Sequence, residues 1–110
     1  MSFDNAFRPS GNTVLVAASS STGATPTQWS TGGMPSCWCV NGSTVPVYLA
    51  WGSSTVAAGI PTTSTPVQGL VLPSTMSRCF QLGPNNNVAW ISAVTSGGAA
   101  NVFVTPGYGF

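Results

Sequence analysis

The chain is 110 residues long with a formal net charge of +1, and its ionised side chains are Asp4, Arg8 and Arg78. It has no histidine, lysine or glutamate, so the groups that most often move protons, ligate metals or grip phosphates are missing and catalysis is not expected. A charged fraction of 3%, against roughly 25% in an average domain, leaves little repulsion between copies and points to work inside an assembly.

Thirteen glycines and nine prolines are scattered along the chain, which excludes long helices, and the runs between them are rich in Val, Thr and aromatic residues. The expectation is one all-β domain over residues 13–110 behind an N-terminal arm, residues 1–12, in which Asp4 and Arg8 are spaced for a local ion pair. The first strand is expected at Thr13–Ala18, between Pro9-Ser-Gly-Asn12 and a Ser/Thr/Gly/Ala/Pro loop from Ser19 to Thr27. Trp29 follows in a polar Thr-Gln-Trp-Ser-Thr-Gly-Gly context. It either anchors an interface or folds back over its own domain.

Ser36–Val40, then Asn41-Gly42, then Ser43–Trp51 reads as a β-hairpin, because Asn-Gly between β-prone runs favours the tight turns that reverse a strand. Alternation in the return strand puts Val45, Val47, Leu49 and Trp51 on one face and Tyr48 on the other. Pro46 places that strand at an edge, or itself at the strand start. Residues 52–73 hold three prolines and one short strand candidate, Val67–Leu72. Ser77–Leu82 is the next strand; its Arg78 either pairs with a carboxylate across an interface or keeps a sheet edge soluble. After a Gly-Pro-Asn-Asn-Asn turn, Val88–Thr95 and Ala100–Thr105 flank Ser96–Ala99 as a second hairpin. In it Val88, Trp90 and Val94 share one face and Ile91 takes the other. Six or seven strands at short spacing predict a small antiparallel β-sandwich or partly closed barrel, jelly-roll-like.

Cys37, Cys39 and Cys79 are an odd number in a chain whose Met-Ser-Phe-Asp-Asn start has neither a basic region nor an apolar core. Cytoplasmic synthesis and free, buried thiols are therefore expected, with a bridge from Cys79 to Cys37 or Cys39 as the alternative. Three thiols without histidine do not make a tetrahedral metal site, so no metal or cofactor is expected. The longest aliphatic run, Val14–Ala18, is too short to cross a membrane.

Asp4 is the single carboxylate side chain, which excludes a carboxylate pair and a Ser-His-Asp triad within one chain. Two arginines cannot form the basic stripe that grips phosphates, so direct nucleic-acid binding is not expected. Serine, threonine and asparagine dominate the polar remainder. Burying a hydroxyl that finds a partner is far less costly than burying a charge, so this composition suits broad, charge-poor protein interfaces.

Val88-Ala-Trp-Ile-Ser-Ala-Val-Thr-Ser-Gly-Gly-Ala-Ala-Asn-Val-Phe-Val-Thr-Pro-Gly-Tyr-Gly109 resembles the ending of small tailed-bacteriophage virion proteins, in particular capsid decoration or cement proteins. Tyr108 stands where an acidic residue is expected in the Pro-Gly-x-Gly ending. The resemblance implies a non-enzymatic homo-oligomer, trimer or dimer, on the outer capsid surface of the virion, bridging subunits of the major capsid protein. On this reading residues 1–12 form an arm that docks Phe3 and Phe7 onto a neighbour, or else these side chains cover the bottom of their own sandwich. Arg8, Trp29, Arg78 and Tyr108 complete the candidate interface. A carbohydrate- or receptor-binding tip of a tail fibre or adhesin is the rival, with Tyr48, Trp29 and Tyr108 stacking on sugars and Asn85–Asn87 bonding hydroxyls. A connector or tail-tube subunit is a further one.

Overall fold

The structure, a computed structural model, describes residues 7–20, 26–30, 35–67, 69–82 and 89–108, and every regular element among them is a strand. These are β1 (Arg8–Pro9), β2 (Val14–Ala18), β3 (Thr27–Gln28), β4 (Ser36–Asn41), β5 (Val47–Gly52), β6 (Leu70–Leu72), β7 (Ser77–Gln81), β8 (Trp90–Val94) and β9 (Ala100–Tyr108). β2, β5 and β6 start where an apolar run leaves Asn12-Thr13, Pro46 and Gly69 respectively. Pro46 sits just ahead of β5, a central strand, and so withholds no ladder donor.

Sheet A has the order β1-β9-β4-β7, with β2 also paired to β9, and sheet B has the order β3-β8-β5-β6. All pairings are antiparallel. Because β4 occupies one side of β9, β1 and β2 share the other side, opposite Tyr108 and Val104 respectively. They form one edge strand broken at Gly11, whose φ of 113° suits glycine. Counting them as one, the strands run 1-8-3-6 in sheet A and 2-7-4-5 in sheet B. That is the double Greek key of a jelly roll.

Among the described strands, β5 and β6 are consecutive partners in one sheet, whereas β4 and β5 lie in opposite sheets, as do β8 and β9. Both expected hairpins are therefore corners that carry the chain across the sandwich. At the first, Asn41 is 1% exposed. Its Nδ2 donates to the carbonyls of Val45 (2.9 Å), Leu72 (3.1 Å) and Pro73 (3.2 Å), while Oδ1 accepts from Ser43 N (3.0 Å) and Oγ (2.7 Å). The amide thus ties β4, the crossing and the β6 end together instead of closing a two-residue turn. At the second, Thr95 N donates to Ser19 O (3.0 Å) and Thr95 Oγ1 to Gly98 O (2.6 Å). Local turn chemistry yields to burial, because the apolar faces of the linked strands meet across the core rather than side by side.

Val16, Cys37, Cys39, Phe80, Val102 and Val104 from sheet A meet Val47, Leu49, Leu72 and Ile91 from sheet B. Each fully buried aliphatic side chain contributes about 1.5–3 kcal/mol. In β8 the inward residues are Ile91 and Ala93, while Val94 joins a second cluster with Ala50 and Ala58 on the outer side of sheet B. The β5–β6 connection makes that cluster by folding over the sheet, pinned by Ala58 N donating to Ser92 Oγ at 2.9 Å. It returns through Gly69, with φ 139°, where a Cβ would collide with the Leu49 carbonyl. The connection thus covers part of the outer side of sheet B and leaves Leu70 and Val71 of β6 exposed.

Candidate functional site

The outer face of sheet A has no comparable cover among the described residues. Alternation sends Val14, Val16 and Ala18 of β2 and Val102 and Val104 of β9 inward, which leaves Leu15 and Phe103 pointing out. Register sets Leu15 beside Phe103 and Phe103 beside Val40, so a hydrophobic row crosses three strands. Leu15 is 52% and Phe103 41% exposed. The next row holds Thr105, Trp38 and Cys79. Thr13 and Thr105 share a 2.8 Å hydroxyl contact at its border.

Beyond that row the segment before β1 lies on the sheet. Phe7 packs on Trp38 with ring centroids 6.0 Å apart and planes tilted by 40°. Gly107, paired with Pro9 and Ser36, makes this possible: a Cβ there would strike the Arg8 carbonyl and the Phe7 ring. Phe7, Pro9, Trp38 and Thr105 then enclose a depression of about 400 Å³.

The face is electrically silent. Arg78 sits on the Phe80 side of β7, and Arg8 pairs with Tyr108 on the side opposite Pro9. No described residue of the outer face carries an ionised group. Burial first, and Cys37 second, push the Cys79 thiol above its ordinary range. Cys39 is pushed up by its hydrogen bond with Cys37 and by burial, and the two sulfurs lie 3.7 Å apart. None of the three forms a disulfide. Among the described residues no three His, Cys, Asp or Glu side chains group as metal ligands.

Of the candidates read from the sequence, the structure brings Phe7, Arg8 and Tyr108 to one end of sheet A. Phe7 covers its own sheet, and residues 8–9 of the expected arm are part of that sheet. Arg78 stands on the far edge strand, exposed. Trp29 is 3% exposed and belongs to the core, so it folds back over its own domain. Phe3, Asp4 and Asn85–Asn87 lie outside the described residues. Leu15, Trp38 and Phe103 were not among the candidates. Their signal is in Val-Leu-Val and Val-Phe-Val, strands apolar on both phases of the alternation, which one buried face does not require.

The class these features define is a small antiparallel jelly-roll domain with one sheet partly covered by its own connection and the other presenting an outer face without an ionised group among the described residues. No protein-family model and no curated protein matches the chain. Among solved structures it is similar to hydroxypropylphosphonic acid epoxidase from S. wedmorenis in complex with fosfomycin, with a TM-score of 0.49 and 10% identity over 86% of this chain and 42% of that one. The chain thus spans less than half of that enzyme, and at this similarity neither activity nor substrate transfers.

Proposed function

We propose that the protein is a non-enzymatic virion component, a capsid decoration or cement protein that attaches to the outer head surface and bridges major capsid subunits. The observation that carries this reading is the outer face of sheet A, partly apolar and without an ionised group among its described residues, on a chain with three ionised side chains. A face of this kind meets another protein without desolvating charge. The resemblance of residues 88–109 to phage virion proteins supplies the setting, and their β8–β9 segment provides the strand on which that face is centred. Copies that touch several capsid subunits gain from multivalency, since after one contact the others are effectively intramolecular. The carbohydrate-binding rival is less well served: Trp29 is in the core, Tyr48 on sheet B and Tyr108 on sheet A, so these rings do not converge. Imaging purified virions made with and without the protein tests the proposal. Extra density over capsomer junctions is expected, and absence of the protein from particles refutes it.

A further inference from the structure

We infer that the hollow beside β6, on the outer side of sheet B, binds a small neutral molecule, mostly apolar, with one hydroxyl or carbonyl group for the Tyr48 hydroxyl to bond. Attachment to a head uses the other sheet, so the two readings stand or fall separately.

The site is built by the β5–β6 connection. Ala58 N donates to Ser92 Oγ at 2.9 Å, which fixes the outgoing leg on the sheet. At Gly59 that leg meets the returning one, where a Cβ would lie only 3.3 Å from Val67 Cγ1. Beyond this contact Thr62 N donates to Thr65 O at 3.0 Å and Thr65 N to Thr62 O at 3.3 Å, and Pro61 and Pro66 brace the two shoulders. The return through Gly69 lays β6 against β5. Between the connection and the strands lies a hollow of about 290 Å³, lined by Tyr48, Gly59, Pro61, Val67, Leu70 and Val71.

The lining sets the chemistry of the occupant. Among the described lining residues Tyr48 alone has a polar side chain, and none is ionised. Its ring packs on the cluster of Ala50, Ala58 and Val94, which fixes where the hydroxyl stands. A charged ligand would lose water here without gaining a partner, whereas an apolar body gains by leaving water. A sugar, with a hydroxyl on nearly every carbon, would leave most of them unpaired.

Size and shape point to a small molecule. At interior packing density the hollow holds roughly ten to fifteen heavy atoms. Ile60, Val67, Leu70 and Val71 are exposed around it, an apolar collar on a concave site. β6 is three residues long, too short a ladder to hold an added peptide strand. The bonds and prolines of the connection set the walls before any ligand arrives, which lowers the ordering cost of binding.

Titration of the ¹⁵N-labelled full chain, followed by amide shifts, tests this with 4-phenylbutan-2-one as the neutral probe and 4-phenylbutanoate as its charged counterpart. The ketone should move the signals of Tyr48, Gly59, Val67, Gly69 and Val71 and saturate with a dissociation constant of about one millimolar or less. The carboxylate should bind about tenfold more weakly or worse. Tyr48→Phe keeps the ring and should weaken the ketone about threefold or more. Val71→Lys, at an exposed lining position, should weaken it about tenfold, so the test stands if one variant folds poorly. Leu15→Lys on sheet A should change nothing. No saturation by the ketone at about ten millimolar overturns the inference, as do equal affinity for the carboxylate, shifts centred on sheet A, or binding that survives both sheet B variants. Saturation by glucose instead of the ketone overturns it in favour of the carbohydrate reading. Retention on purified heads is measured separately: a protein that binds the ketone but never attaches keeps this inference and removes the virion reading.

Discussion

Replacing Asn41 by Ala isolates the corner that sets the topology. The native amide is 1% exposed, donates to three carbonyls and accepts two bonds from Ser43. Two Nδ2 hydrogens shared among three acceptors amount to about two net bonds of 0.5–1.5 kcal/mol each. The Oδ1 contacts add about one more, and the buried Leu72 carbonyl loses its side-chain donor. The sum is about 3–4 kcal/mol, against a total stability of roughly 5–15 kcal/mol for a domain. At about 4–8 °C per kcal/mol for a domain near this size, Tm should fall by roughly 15 °C or more. Urea unfolding followed by tryptophan fluorescence should show a lower midpoint with an unchanged slope. Asn41→Asp should be worse than Ala, because it turns a carboxylate toward three carbonyl oxygens. A loss below about 1 kcal/mol, the value for a solvent-exposed Asn-Gly turn, would refute the buried-corner account.

Gly69→Ala should destabilise by several kcal/mol, since φ is 139° and the new Cβ meets the Leu49 carbonyl, whereas Gly97→Ala, with open space around it, should stay within about 0.5 kcal/mol; paired thermal melts decide. In native protein at pH 8 a thiol reagent should leave Cys37 and Cys39 untouched and modify Cys79 slowly, and unfolding should release all three. Fast labelling of three thiols in the native state would contradict the placement of β4. Stability should be nearly flat from about pH 5 to 8 and fall above about pH 9. An unfolded thiol ionises near pH 8.5 while the fold keeps Cys39 protonated, so the folded state binds more protons and stability drops with rising pH, by up to about 1.4 kcal/mol per unit for this group. Urea midpoints between pH 6 and 10 measure it, and a constant midpoint would count against a buried Cys39 thiol. Ser92→Ala strands the Ala58 N–H and should cost about 1–3 kcal/mol, read as faster proteolysis within residues 53–67.

Composition and alternation were enough to read an all-β sandwich, the strand expected at Thr13–Ala18 and found at Val14–Ala18, the short strand ending at Leu72 and the inward thiols of β4, because each of these follows from Gly and Pro breaks and a period of two. The exposed position of Arg78 on an edge strand agrees with one of the two readings open for it, a cation that keeps a sheet edge soluble. What local chemistry could not decide was pairing. Asn41-Gly42 and Ser96–Ala99 favour reversal within a sheet, yet the energy of joining two apolar faces across the core outweighs a turn preference, and the chain crosses at both places. The same holds for the candidate interface. Leu15, Phe103, Val40 and Trp38 come from three separated segments, and only the registers of β2, β9 and β4 set them side by side on one outer face. Sequence determined which residues make strands and how little charge their surface carries. Tertiary structure alone decided on which sheet the β5–β6 connection packs, because that depends on where a connection with no strand of its own comes to rest.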